Sequence, residues 1–168
     1  SDWPGRPDCA SMWECVTKRS SSAFRVAEPR SMTTHMTDDP LALFDDWFAE
    51  ARTSEPNDAN AMALATTTAD GHPSLRMVLL KDIEDAAFVF YTNYGSRKSQ
   101  ELTENSHVAL LFHWNVLQRQ VRIEGTVERT SSAQSADYFH SRDRGSQIGA
   151  LASKQSQKLI HHNELAQR

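Results

Sequence analysis

Cysteine is scarce in this chain of 168 residues: the only two, Cys9 and Cys15, lie near the N-terminus. Two cysteines do not make a disulfide framework, and their spacing matches no common metal motif, so we predict no metal site. Long apolar runs are also missing. The longest, from Val108 to Phe112, is far shorter than the roughly 20 residues that span a bilayer, so no membrane association is expected. The first 30 residues lack the apolar core of a secretory signal, and we therefore expect a cytoplasmic protein.

Charge is unevenly distributed along the chain. The formal net charge is −4, and eight acidic residues stand against one basic residue between Asp38 and Asp70. Between Arg76 and Lys158, eleven basic residues outnumber nine acidic ones. A locally positive stretch in an acidic protein suits a small anionic ligand better than a long polyanion, so nucleic acid is not expected as a partner.

Residues 1–37 differ from the rest of the chain because they show neither helical nor strand periodicity. We interpret them as a disordered leader or a non-native extension, and we expect one domain over residues 38–168. That domain opens with a helix from about Pro40 to Arg52. Asp39 can cap this helix, while Pro40 suits its first position.

Strand patterns dominate the middle of the chain. We predict five strands, at residues 61–68, 74–81, 87–93, 108–114 and 119–128, the fourth so apolar that burial on both faces is expected. Helices are predicted from Ser96 to about Glu104, from Ser131 to about Ser141 with a capping-box pattern, and from Gln157 onwards. Antiparallel strands with peripheral helices predict a mainly β fold of the α+β class, a small β-barrel.

Two cations at the start of a helix make Ser96-Arg97-Lys98 the most informative local feature. Ser96 is a natural N-cap, so Arg97 and Lys98 fall in the first helical turn, where each positive charge is unfavourable by about 0.3–1 kcal/mol. A bound phosphate would reverse that cost and would use the free backbone N–H groups. The alternative is that both side chains extend into water, where screening makes the cost small.

Other basic and aromatic residues leave two interpretations open. The spacing of Arg76 and Lys81 puts them on opposite faces of a strand, unless Lys81 lies at the strand end or a bulge intervenes. Lys81 could equally be an ordinary solvated lysine beside a turn. Tyr138 and Arg142 share a helix face and, with Ser146 following, could form a second phosphate clamp or simply an exposed surface.

Seven segments, taken in order, resemble the pyridoxine/pyridoxamine 5′-phosphate oxidase family. Each is weak alone, but their common order and spacing over roughly residues 39–156 are specific. The segments are Arg76-Met77-Val78-Leu79-Leu80-Lys81, Phe90-Tyr91-Thr92-Asn93, Ser96-Arg97-Lys98, Arg119-Gln120-Val121, Tyr138-Phe139-His140-Ser141-Arg142, Ser146-Gln147-Ile148-Gly149-Ala150 and Ser153-Lys154-Gln155-Ser156.

The resemblance implies an FMN-binding split barrel that works as a homodimer with the flavin at the subunit interface. In such a protein a hydride passes from the C4′ carbon of pyridoxamine 5′-phosphate or pyridoxine 5′-phosphate to the flavin. O2 then reoxidises the flavin, yielding hydrogen peroxide and pyridoxal 5′-phosphate, a step of vitamin B6 metabolism. No preference between the two substrates and no catalytic residue is assigned.

The resemblance also implies which positions of this sequence hold the two ligands. The positions matching FMN contacts are Arg76, Met77, Val78, Leu79, Leu80, Lys81, Tyr91, Thr92, Arg97, Lys98, Gln120, Gln155 and Ser156. The positions matching substrate contacts are Lys81, Tyr138, Arg142 and Ser146.

The sequence also departs from the family pattern. Family members continue with Trp-Gly-Gly, Phe-Trp-Gln-Gly and Arg-Leu-His-Asp-Arg segments that complete the flavin and substrate sites, and this sequence contains none of them. We therefore expect a barrel that is incomplete at its C-terminal side, with one strand missing and an unpaired edge. Two functions stay open: a flavin oxidase of the family type, and a non-catalytic FMN-binding module. A related flavin reductase or haem-handling protein fits less well, because the substrate positions match the pyridoxal-type pattern.

Overall fold

The computed structural model describes residues 39–150 and 155–156 with their side chains, and residues 12–19 and 151–152 as backbone. Within these residues seven strands form one antiparallel sheet, accompanied by four helices. The strands are β1 (Met12–Arg19), β2 (Ala61–Thr67), β3 (Pro73–Leu79), β4 (Asp82–Glu84), β5 (Ala87–Asn93), β6 (His107–Trp114) and β7 (Arg119–Arg129). The helices are α1 (Pro40–Ser54), α2 (Arg97–Glu104), α3 (Ser132–Ser141) and α4 (Arg144–Ala152).

The sheet curls into a barrel because its two ends are adjacent in sequence. The strand order is β3-β2-β6-β7-β1-β5-β4, and only Leu80 and Lys81 separate β3 from β4. A link of this length spans at most about 11 Å, so the two outer strands must lie close together. Leu80 N donates to Asn60 O and Lys81 N donates to Val89 O, each at 2.8 Å, which ties the link to both flanks. The predicted β-barrel is confirmed.

Aromatic rings from α1 and from the inner face of the sheet form the centre of the core. Phe44 of α1 is only 1% exposed, and its ring centroid lies 5.0 Å from that of Phe88 and 5.2 Å from that of Phe112. Trp114 closes the same cluster, and its indole N–H donates to Ala59 O at 2.9 Å. The apolar stripe of α1 is therefore core packing, as its helical spacing indicates.

The first three helices begin where their capping residues predict. Asp39 accepts a hydrogen bond from Leu41 N at 2.9 Å, and Ser96 and Ser131 cap α2 and α3 in the same way. Two features differ from expectation. Arg142 lies at the C-cap of α3 rather than within the helix, and α4 was not predicted. The helix predicted from Gln157 onwards lies outside the described residues.

The five predicted strands are present, and β4 and β1 are additional. Residues 12–19, which we expected in a disordered leader, form β1 between β5 and β7. Without β1, the facing edges of β5 and β7 would carry unpaired backbone N–H and C=O groups, and β1 pairs with both edges. The rest of residues 1–37, including Cys9, lies outside the described part of the chain. The sheet therefore extends N-terminal to the predicted boundary at residue 38, and for the rest of residues 1–37 the disordered leader stays a prediction.

The outer face of one half of the barrel is apolar. The prediction that β6 is buried on both faces is wrong, because Ala109 and Leu111 point outward and are only half-buried. Across the sheet, Leu111 lies in register with Ala63 of β2, which in turn pairs with Met77 of β3. We call six of the apolar side chains on this face the outer patch: Ala63, Ala65, Leu75, Met77, Leu79 and Leu111.

No helix in the described part of the chain is long and apolar enough to cross a membrane.

Candidate functional site

A buried lysine lies at the start of α2. Lys98 is only 9% exposed, and its ammonium donates to Gln155 Oε1 at 2.6 Å and to Ser96 Oγ at 3.4 Å. Neither partner is charged, and among the described residues no carboxylate pairs with Lys98. Burial, together with the positive charge of Arg76, lowers the pKa of Lys98 from 10.5 to about 8. The helix start therefore holds a cation that lacks a negative partner, which is the environment of an anion site.

Two arginines meet the same carboxylate beside Lys98. Glu101 of α2 is 3% exposed, and its Oε2 accepts from Arg76 Nη2 at 3.0 Å, while its Oε1 accepts from Arg97 Nε at 2.8 Å. Thr66 Oγ1 and Ser74 Oγ also donate to Oε2, each at 2.5 Å. These contacts join β2, β3 and α2 through one side chain. We call Arg76, Arg97, Lys98 and Glu101 the α2 cluster.

The α2 cluster carries an excess of positive charge. Burial alone would raise the pKa of Glu101, but hydrogen bonds from Ser74, Thr66, Arg97 and Arg76 outweigh it and lower the pKa to about 2. Glu101 is therefore ionised at neutral pH and offsets one of three cations. The remaining charge of about +2 matches the −1.5 to −2 of a phosphate monoester at pH 7.

A second cationic group surrounds the ring of Tyr138. Lys81 Nζ lies 5.9 Å from the ring centroid, and Arg142 Cζ lies 5.9 Å from it as well. Tyr91 stacks on the same ring with a centroid distance of 3.5 Å. Lys81 reaches this place because it lies just beyond the end of β3, as the second residue of the link to β4, where the alternation of a regular strand no longer applies. We call Lys81, Tyr91, Tyr138 and Arg142 the Tyr138 cluster.

Ser146 lies in the first turn of α4, four residues after Arg142. Its backbone N–H donates to Asp143 Oδ1 at 2.9 Å. Hydrogen bonds from the Ser146 hydroxyl and the Ser146 N–H lower the pKa of Asp143. Gln147 Nε2 donates to Arg142 O at 2.8 Å, which holds the first turn of α4 against the end of α3. Three of the four predicted substrate positions thus lie together, and the fourth, Ser146, follows in the first turn of α4 with no described contact to the other three.

The predicted FMN positions in β3 are divided between two faces. Val78 and Leu80 belong to the buried core, whereas Met77 and Leu79 belong to the outer patch. Their side chains cannot all face one ligand, so contacts from this run would involve its backbone. Because β3 is an edge strand, half of its backbone groups point away from β2 and can take such a role.

The other predicted FMN positions are partly assembled. Gln155 binds Lys98, and the following Ser156 has a positive φ of 67°, an uncommon conformation for a residue with a side chain. Thr92 Oγ1 is buried and has no hydrogen-bond partner among the residues whose side chains are described. Gln120 lies on β7 opposite His113, and no contact joins it to the α2 cluster in the described part of the chain.

The sequence analysis did not identify Glu101, Thr66 or Ser74. Arg97 and Glu101 are spaced i, i+4 on a helix, which is a pairing signal, but such pairs are usually solvated and weak. The burial of Glu101 and the approach of Thr66 and Ser74 come from the packing of α2 against the sheet. No local pattern reports that packing.

The family model of pyridoxamine 5′-phosphate oxidase matches residues 48–167. The chain belongs to this family.

Curated relatives in the family are close in sequence. The chain is 66% identical over 131 residues to the pyridoxine/pyridoxamine 5′-phosphate oxidase of Sphingopyxis alaskensis, a match that covers 78% of this chain and 61% of that protein. It is 63% identical to the corresponding protein of Colwellia psychrerythraea, covering 77% and 59% respectively. The chain thus spans about 60% of the length of these relatives.

Solved structures share the fold of the family. PhzG from Burkholderia lata, solved with tetrahydrophenazine-1-carboxylic acid, matches with a TM-score of 0.75 and 28% identity, covering 79% of this chain and 66% of PhzG. A pyridoxamine 5′-phosphate oxidase-related, FMN binding protein from Nostoc punctiforme matches with a TM-score of 0.64 and 14% identity, covering 79% and 73%. The expected split-barrel fold is confirmed.

Replacing the buried cation with an apolar side chain should stabilise the ligand-free protein. A pKa lowered from 10.5 to about 8 corresponds to a penalty of at most about 3 kcal/mol. We therefore expect Lys98→Met to raise the free energy of unfolding at pH 7 by about 1–3 kcal/mol in urea denaturation, whereas Lys81→Met, at an exposed lysine, should change it little.

The pH dependence of the free energy of unfolding tests whether the buried charge of Lys98 is what destabilises the protein. The folded-state pKa of Lys98 lies below its unfolded value, so the unfolded state binds more protons between pH 8 and pH 10.5, and stability contributed by this group rises over that window. Lys98→Met should lack this rise. An identical rise in the variant would show that the buried charge of Lys98 is not its source.

Proposed function

We propose that the protein binds FMN and oxidises pyridoxamine 5′-phosphate or pyridoxine 5′-phosphate to pyridoxal 5′-phosphate, with O2 as the electron acceptor. The observation that carries this proposal is the presence of two cationic clusters beside one strand, β5. The α2 cluster follows the end of β5, and the Tyr138 cluster contacts it through Tyr91. Two such clamps suit one phosphorylated cofactor and one phosphorylated substrate.

The α2 cluster fits the phosphate of FMN. Lys98 is a buried cation, the cluster has a net charge of about +2, and the hydroxyl of Thr92, four residues before the N-cap of α2, is buried without a described partner. A buried hydroxyl in that state costs about 1–3 kcal/mol unless a ligand or water satisfies it. Arg97, Lys98 and the Gln155-Ser156 turn would hold the phosphate. FMN, when bound, supplies the hydride acceptor.

The Tyr138 cluster fits a phosphorylated substrate. Lys81, just beyond the end of β3, and Arg142, at the C-cap of α3, each place a cation 5.9 Å from the ring centroid of Tyr138, which also carries a hydroxyl. Ser146, in the first turn of α4, would add a further hydroxyl. These groups would bind and orient the substrate beside the cofactor, which is the main contribution a protein makes to cofactor chemistry.

A homodimer with the flavin at its interface is supported by the outer patch. Leu75 is 69% exposed and Met77 is 63% exposed, and both lie in register with small or apolar side chains of β2 and β6. Contiguous apolar surface of this kind marks an interaction site. Gln120, which stands apart from the α2 cluster, would reach a flavin held by a second copy. A cytoplasmic location stays a prediction from the sequence.

A second candidate function is FMN binding without turnover. It is favoured by the fact that the described hydrogen bonds of the α2 cluster run to residues outside the Tyr138 cluster, among them Thr66, Ser74 and Gln155. The clamp for the cofactor could therefore act without the clamp for the substrate.

Flavin loading followed by a peroxide assay tests the proposed function and separates it from the second candidate. We expect the purified chain to bind FMN, with the flavin absorption bands shifted and its fluorescence quenched. Adding pyridoxamine 5′-phosphate should then yield hydrogen peroxide and pyridoxal 5′-phosphate in equal amounts. FMN binding without peroxide would favour the binding module, and failure to bind FMN would exclude both functions.

Removing Arg97 should weaken FMN more than riboflavin, because only FMN carries a phosphate. A charge-assisted hydrogen bond contributes about 1.5–3 kcal/mol, so Arg97→Ala should raise the Kd for FMN about 10- to 100-fold and leave that for riboflavin nearly unchanged. Arg52→Ala, at an exposed arginine on α1, is the matched control. Equal losses for the two flavins would contradict a phosphate role.

A charge in the outer patch should dissociate the homodimer. Met77 is 63% exposed, so Met77→Glu should leave the fold intact while raising the dimer dissociation constant roughly 100-fold, since an unpaired charge would be buried. Sedimentation equilibrium measures this change, and Ile148→Glu on α4 is the control at another exposed apolar residue. A wild-type chain that sediments as a monomer, or an unaffected variant, would refute the interface.

A further inference from the structure

We propose that Glu101 is a positioning residue for the phosphate of FMN, which orients the guanidinium of Arg97 and limits the positive charge of the α2 cluster. This inference rests on the FMN binding proposed above. Glu101 lies one helical turn beyond the helix start, and its carboxylate contacts both arginines of the cluster.

The two oxygens of Glu101 have different tasks. Oε2 is anchored to the sheet by Thr66, Ser74 and Arg76, whereas Oε1 accepts only from Arg97 Nε among the described residues. Glu101 is 3% exposed, while the side chain of Arg97 is 63% exposed. A rigid, buried carboxylate therefore directs a guanidinium that would otherwise sample many conformations in water.

The two arginines are left with different capacities. Both terminal nitrogens of Arg76 are engaged, Nη1 by Leu64 O and Thr66 Oγ1, and Nη2 by Ser74 Oγ and Glu101. Arg97 uses only Nε, so its two terminal NH2 groups have no described partner and can form the bidentate pair that suits a phosphate. Arg76 thus contributes charge, and Arg97 contributes donors.

Orienting Arg97 in advance should strengthen anion binding. Ordering a long side chain on binding costs conformational entropy, and an arginine already held at Nε avoids part of that cost. Charge balance acts in the same direction, because without Glu101 three neighbouring cations would repel one another and Lys98 would more readily lose its proton. The alternative is that Glu101 only holds α2 against the sheet.

A comparison of two carboxylates on α2 tests this inference in the full chain. We expect Glu101→Gln to raise the Kd for FMN about tenfold, measured by quenching of flavin fluorescence, with the Kd for riboflavin nearly unchanged. Glu104→Gln makes the same change of charge at an exposed position of the same helix and should affect neither. A parallel loss for both flavins, or tighter FMN binding, would overturn the inference.

A double-mutant cycle examines whether Glu101 acts through Arg97. In an Arg97→Ala background, Glu101→Gln should cause much less than the tenfold loss, because the group that it orients is gone. Additive losses would overturn the orienting role.

The pH profile distinguishes charge balance from loosened packing. FMN affinity in the wild type should fall above about pH 8, as Lys98 deprotonates. In Glu101→Gln the uncompensated charge of Arg76 should move this fall to lower pH. If the variant merely loosened α2, Lys98 would become hydrated and the fall would move towards pH 10.5, contrary to the proposal.

A shorter carboxylate provides a test that does not change the charge. Glu101→Asp keeps the negative charge but moves it back by one methylene. We therefore expect it also to lower the preference for FMN over riboflavin severalfold. If Glu101→Gln does not fold, an unchanged preference in Glu101→Asp would count against the proposal. A wild-type chain without any preference for FMN would instead refute the proposed function. Wild-type preference that persists in both Glu101 variants would refute only the role of Glu101.

Discussion

The architecture depends on a connection of two residues, Leu80 and Lys81, between the two ends of the sheet. Because the chain leaves β3 and enters β4 at once, the outer strands must approach each other and the sheet must curl. The same constraint places Lys81 at a strand end, where its side chain leaves the barrel and reaches the ring of Tyr138. It also brings β5 beside the end of β3. The strand that carries Tyr91 and Thr92 therefore runs from one cationic cluster towards the other.

The polar groups around α2 include a buried cation that destabilises the ligand-free protein but suits the binding of an anion. Lys98 is buried without a described negative partner, and burial and Arg76 lower its pKa, which disfavours the folded state at neutral pH. Glu101 has the opposite effect. Its pKa is lowered to about 2, so its contribution to stability is present above the ordinary pKa of a glutamate and is lost only as the pH falls towards 2. One buried carboxylate thus supports a group of cations that a phosphate would complete.

Local signals predicted more of the fold than of the site. Asp39, Ser96 and Ser131 cap their helices because a cap is a contact between residues that are near in sequence. The strand β4 was missed because three residues carry too little pattern, and α4 was missed because Gly145 and Gly149 weaken its helical propensity. The strand predicted at residues 119–128 is present as β7, whereas the continuous apolar run of β6 gave no sign that one of its faces points outward and is only half-buried.

By itself, the sequence determined the starts of α1, α2 and α3, the strands with clear periodicity, the order of motifs that assigns the family, and the placing of Arg97 and Lys98 in one helical turn. Each of these rests on neighbours in the chain or on a pattern read along it. Only the tertiary structure decided that Lys98 is buried against Gln155, 57 positions away, and that Glu101 joins Arg76 to Arg97. Burial and electrostatic pairing are set by which elements pack together, and that packing follows from closure of the barrel rather than from any local run of residues.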